Sequence, residues 1–157
     1  MRFSYLALPT RQPIYSLGSS QVRYRPVVPI HIIAPRILQP VDACIDCASD
    51  DTLFPLRVAH RLGIDLSSAP QGGVRPTGKT AYAVKYAHVT LHTSDGGETL
   101  EWVAIVGFTA APLRWPLLGQ AGFLEFLDAE LRGSQREVVL LPNVSFKGQY
   151  VIHRAPP

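Results

Sequence analysis

The sequence has no apolar run long enough to cross a bilayer. Its longest, Val27 to Ala34, is short and broken by proline, against the roughly 20 residues that a spanning helix needs. A secretory leader is not visible either, because prolines and polar residues interrupt any apolar stretch after Arg2. Strong charge is also missing. Charged residues make up 17% of the chain, the net charge is +3 and the pI is near 9.1. The basic residues are scattered apart from a loose group at Arg23, Arg25 and Arg36, which is not the continuous stripe that nucleic acid requires. We therefore expect a soluble, cytoplasmic protein with no membrane and no nucleic-acid partner.

Cysteine is scarce. Cys44 and Cys47 form a single C-x-x-C with no second pair, so the four ligands of a structural zinc site are not supplied. His60, His88 and His92 fall in segments with other roles; on a strand, His88 and His92 share a face but lie too far apart to hold one metal easily. The C-x-x-C closes an apolar strand rather than opening a helix, unlike a redox motif. The expectation is two reduced thiols, no metal and no cofactor. A thiol-redox or metal role for Cys44 and Cys47 stands as the weakest of three functional readings.

What the chain does have is 157 residues, 46% of them hydrophobic, with fourteen prolines and twelve glycines between short β-branched runs. That pattern predicts a mainly β domain with tight connections. Residues 1–20 read as an extended lead-in or extra strand, with an edge strand around Phe3 to Leu8. Val22 to Ile33 reads as a proline-interrupted strand and Val41 to Ile45 as a short one. A helical turn follows from Pro55 to Leu62, with Gly63 ending it. Ser67 to Thr80 reads as loop. Ala81 to Thr93 and Thr99 to Gly107 form a hairpin around Ser94-Asp95-Gly96-Gly97. Pro116 to Gly119 is a short strand, Gly122 to Leu131 has helical spacing, Glu137 to Leu141 is a last strand, and residues 147–157 form a tail. There is no internal repeat, so the chain holds one copy of any site.

Two segments carry chemistry. In Ala43-Cys44-Ile45-Asp46-Cys47-Ala48-Ser49-Asp50-Asp51-Thr52-Leu53-Phe54-Pro55 an apolar strand delivers one carboxylate into a turn of small residues, then an acidic pair. Water activation by carboxylates needs such a rigid presentation. Asp46 also fits a turn aspartate, and Asp50 and Asp51 also fit caps for the helix near Pro55. In Pro116-Leu117-Leu118-Gly119-Gln120-Ala121-Gly122-Phe123-Leu124 an apolar pair and a glycine would pack behind the first loop.

Together these segments resemble the retropepsin-like aspartic peptidases, in particular their bacterial single-domain relatives. That family's catalytic loop runs apolar, apolar, Asp, Thr or Ser, Gly, Ala and often Asp-Asp-Thr; Ile45 to Thr52 is similar to it in order. The second signature, apolar, apolar, Gly and a short helix, is matched by Leu117-Leu118-Gly119. The resemblance covers about Arg25 to Asn143. It implies a closed, β-barrel-like lobe of the acid-protease fold over residues 21–146, with one or two short helices. It also implies a homodimer in which each chain supplies one catalytic Asp46. Cys47, Ala48, Ser49 and Asp50 would form the active-site loop, Leu118 and Gly119 its support, and Gly72, Gly73 and Gly78 the flap region. Adjacent carboxylates share a proton, so one acts as base and the other as acid. The implied activity is cleavage of a peptide or protein substrate.

Three positions depart from the family. Cys47 replaces a threonine or serine, and its thiol is the weaker hydrogen-bonding group. Ala48 stands where glycine is usual. Gln120 replaces an arginine, leaving a neutral partner for Asp50. These departures motivate the second reading, a catalytically silent dimer that holds a peptide or protein without cutting it.

Overall fold

A computed structural model describes residues 1–34, 40–74 and 80–153. Arg36, Pro76 and Gly78 lie outside the described residues. The described residues are mainly β, 57% of them strand and 7% helix, and contain a closed six-stranded barrel. In chain order the strands are β1 (Arg2–Ser4), β2 (Leu6–Ile14), β3 (Ser20–Arg25), β4 (Val27–Ile33), β5 (Val41–Ile45) and β6 (Leu53–Pro55). Helix α1 (Leu56–Leu62) follows, then β7 (Gln71–Val74), β8 (Tyr82–Ser94), β9 (Glu98–Thr109), β10 (Leu117–Leu118), β11 (Leu127–Arg132), β12 (Glu137–Pro142) and β13 (Gln149–Ile152).

The barrel runs β9–β6–β10–β5–β4–β8 and closes through the β8–β9 hairpin, whose register extends from Val84↔Thr109 to Ser94↔Thr99. Alternation drives the closure. Along β4 the side chains of Val28, Ile30 and Ile32 are buried while Pro29 and His31 are less so, the period of two that sends one face inward. Phe54 and Phe108 stack in the centre at 6.1 Å between ring centroids. Trp102 packs on Phe123 and Phe146 and donates its indole N–H to the Gly122 carbonyl at 3.0 Å. Helix α1 lays Val58, Ala59 and Leu62 on this core and ends at Gly63, whose φ of 73° is the left-handed cap that glycine adopts freely.

Four expectations need correction. Gly122 to Leu131 is not a helix. One turn at 122–126 closes with Leu127 N–H on the Phe123 carbonyl at 3.0 Å, and β11 then pairs with β12 from Leu127↔Pro142 to Arg132↔Glu137. The i, i+4 spacing of Phe123 and Leu127 satisfies a single turn as well as a helix, and cross-strand pairing takes the rest. The Ser67 to Thr80 loop contains β7, which pairs with β8. In the segment read as a tail, β13 pairs with β9 from Gln149↔Glu101 to Ile152↔Glu98. Residues 6–25 form a hairpin of their own, β2 with β3 around a 3-10 turn at Tyr15–Leu17, separated from β4 by Pro26.

Phe54→Ala should lower unfolding free energy by about 3–5 kcal/mol, the usual cost of deleting a buried phenylalanine. Urea unfolding followed by Trp fluorescence checks this. A loss below about 1 kcal/mol would place Phe54 outside the core.

Candidate functional site

Strand β10 lies between β5 and β6. It runs parallel to β5, Leu117 beside Cys44 and Leu118 beside Ile45, and antiparallel to β6, with Leu117 opposite Leu53. The chain leaving β5 must therefore loop around the end of β10 before it returns as β6. Residues 46–52 are that loop.

Backbone bonds hold it. The Asp46 N–H donates to the Leu118 carbonyl at 3.1 Å, and Gln120 and Ala121 N–H groups donate to the Ser49 and Asp50 carbonyls at 2.9 Å each. Thr52 is fully buried; its N–H reaches the Ala121 carbonyl at 3.0 Å and its Oγ1 accepts the Gly119 N–H at 3.2 Å. Gly119 has no room for a side chain. A methyl group there would lie 2.7 Å from the Ser49 carbonyl oxygen and collide with the Asp51 backbone. The close approach needs glycine.

Asp46 is half-buried at the start of this loop, and Cys47, Ala48 and Asp50 are exposed beside it. The Asp46 Oδ1 accepts the Ala48 N–H at 3.1 Å, so one carboxylate oxygen is fixed by the turn. Ser49 Oγ donates to the Asp51 carbonyl at 2.7 Å and braces the loop from within. Gln120 does not reach Asp50 as its position suggests. Its Nε2 donates to the Cys47 carbonyl at 2.9 Å, tying the two segments through the backbone instead. Asp50 and Asp51 do not cap α1, whose N-terminus at Pro55 has no side-chain cap.

Cys44 and Cys47 are both free thiols, Cys44 half-buried and Cys47 exposed. Burial raises the Cys44 thiol, and the Asp46 charge adds to this while the Arg25 guanidinium opposes it. A protonated, half-buried thiol is a poor nucleophile. Among the described residues no group of three or more His, Cys, Asp or Glu side chains is placed to hold a metal ion.

Gly72 and Gly73 stand on β7, opposite Val84 and Ala83 of β8, in the hairpin that would carry the flap. Its base meets the loop through Tyr86, a residue the sequence reading missed. The Tyr86 hydroxyl donates to Asp51 Oδ2 at 2.7 Å. Burial first, then this bond and the Asp51 charge, push the phenol up to about 12. Its ring edge fills the space over Gly72, where a methyl group would come within 2.9 Å of Cε2. Thr52 belongs to the matched motif, but the sequence reading assigned it no role. Only its place between an acidic pair and the apolar Leu53-Phe54 hinted at a buried hydroxyl, and nothing local marks Tyr86.

Comparison with models of known protein families and with curated proteins gives no match. The functional reading rests on this chain's own residues.

Two substitutions test the geometry. Gly119→Ala should cost about 1–3 kcal/mol or more, the range for overpacking a tight site. Tyr86→Phe should cost about 1–2 kcal/mol, toward the lower end for bonds to charged groups because the pair is only half-buried. Chemical denaturation measures both, and a neutral Gly119→Ala would contradict the close packing.

Proposed function

We propose that the chain is an aspartic endopeptidase of the retropepsin type, working as a homodimer in which two Asp46 carboxylates share a proton and activate one water. The observation that carries this reading is the position of Asp46 at the end of β5, pinned by its N–H to Leu118 of the threaded strand β10. The closed six-stranded barrel, the loop wrapped around Gly119 and the β7–β8 hairpin are further support.

The chemistry needs a pair. A single carboxylate on an open surface can take a proton from water but has no partner to protonate the departing amine. Two in contact cannot both ionise cheaply, so one is the base and its neighbour the acid at the same pH. One Asp46 per chain makes the symmetric dimer the simplest source of the second. The substrate is a peptide or protein lying across the two loops under the flap hairpins. The proposal sets the protein in the cytoplasm, where two free thiols are ordinary. Among the described residues no helix is long and apolar enough to cross a membrane.

Exposed Cys47 and Ala48 favour a second reading, in which the same dimer binds a peptide in its cleft and does not cut it. The methyl of Ala48 narrows the space beside the carboxylates, and a thiol braces the facing loops less firmly than a hydroxyl.

Incubation with a mixed peptide library at mildly acidic pH separates the two. The native chain should cleave, and Asp46→Asn, nearly the same in shape, should lose at least about a hundredfold in rate, the scale of acid–base assistance. Peptide affinity that survives Asp46→Asn, with no cleavage by either protein, would establish the binding module.

A further inference from the structure

The first 41 residues contain five arginines and no aspartate or glutamate. Part of this acid-free stretch is the β2–β3 hairpin, which pairs with no other strand among the described residues. A lone two-stranded ribbon is marginal in water, so what holds its base matters. Tyr5 donates its N–H to the Arg136 carbonyl at 2.7 Å. The Arg136 guanidinium lies 3.8 Å above the Tyr24 ring and donates to the Tyr24 hydroxyl. Arg136 takes this position from a left-handed backbone, φ 54°, in the turn after Gly133, a conformation uncommon for any residue but glycine.

Between the hairpin and that turn is a cavity of about 550 Å³, lined among others by Tyr5, Val22, Arg23, Tyr24, Arg25 and Arg136. Among the described residues no carboxylate lines it, and none of the three arginines forms an ion pair, whereas Arg2 and Arg132 do. At the hairpin's turn, Tyr15 and Leu17 are 86% and 52% exposed. Exposed apolar residues beside an uncompensated positive cavity mark a surface suited to a protein.

We propose that this hairpin and its cavity form a docking site for an acidic peptide segment of a partner protein. The guanidinium of Arg136, pre-oriented on Tyr24, offers a planar fork that matches a carboxylate. Tyr5 and Val22 supply walls for the apolar residues between the acids. Nucleic acid fits less well, because the positive charge gathers around one concave, partly apolar cavity and not along a stripe. The cavity uses no residue of the Asp46 loop, although Arg25 also acts on the Cys44 thiol next to that loop. Peptide binding and peptide cleavage are read in separate assays, so failure of one is distinguishable from failure of the other.

Fluorescence anisotropy on the full chain tests it with three labelled probes: a peptide of about eight alternating glutamates and leucines, the same peptide with glutamine for glutamate, and an oligonucleotide of equal charge. The acidic peptide should bind at least about tenfold more tightly than the glutamine peptide, and weaken as salt rises to about 0.5 M. Arg136→Ala should weaken it about tenfold or more. Arg136→Lys keeps the charge and should weaken it by a smaller factor, since an ammonium has no fork. Arg136→Lys decides the matter should the alanine variant fail to fold. Equal affinity for the two peptides, undiminished binding by Arg136→Lys, or tighter binding of the oligonucleotide would each overturn the proposal.

Discussion

The bond from the Asp46 N–H to the Leu118 carbonyl depends on a topological constraint: a two-residue strand threaded between β5 and β6. Once Leu117 and Leu118 occupy that slot, the loop from Asp46 to Thr52 has one route, around Gly119. The rest follows from lack of space. Gly119 must be glycine because the Ser49 and Asp51 backbones pass where a side chain would be. Thr52 turns its hydroxyl inward and accepts the Gly119 N–H, a buried donor that needs a partner. The position of one carboxylate is thus set mainly by backbone groups. Such a site tolerates changes in the side chains around it.

That tolerance gives the departures at Cys47 and Gln120 a physical reading. In the resemblance, a hydroxyl and an arginine brace the loop by side-chain bonds. Here Gln120 reaches the Cys47 carbonyl and Ser49 reaches the Asp51 carbonyl, so the bracing runs through main-chain oxygens. Asp51, free of any capping duty, receives the Tyr86 hydroxyl and joins the loop to β8, the strand that pairs with β7. These bonds are individually modest. They share a frame that already exists, and each therefore sharpens the geometry more than it stabilises the fold.

What the sequence disclosed was what local chemistry encodes. Gly63 ended a helix because it takes a positive φ, and Asp95-Gly96-Gly97 turned a hairpin for the same reason. Val41 to Ile45 read as a strand because its apolar run stops at a carboxylate. The failures have a common cause. Phe123 and Leu127 sit four apart, as in a helix, but the partner that decides their fate, β12, lies more than ten residues away. Tyr86 looks like any strand tyrosine until Asp51 is brought beside it across 35 positions of sequence. Gln71-Gly72-Gly73 has the composition of a loop, and the Tyr86 ring explains why position 72 of the strand lacks a side chain. The family pattern points Gln120 at Asp50, but its amide bonds the Cys47 carbonyl. Periodicity and turn chemistry are legible in one chain; pairing between distant segments is not.

The central claim is that two Asp46 loops meet across a two-fold axis. Cys47, exposed and adjacent to Asp46, is a natural reporter of that meeting. Treatment of the native protein with a short thiol-to-thiol crosslinker, followed by mass spectrometry of the linked peptides, measures it directly. The account predicts a covalent dimer joined through Cys47 of both chains and lost in Cys47→Ser. A protein that stays monomeric, or whose dimer is never linked through Cys47, would contradict it.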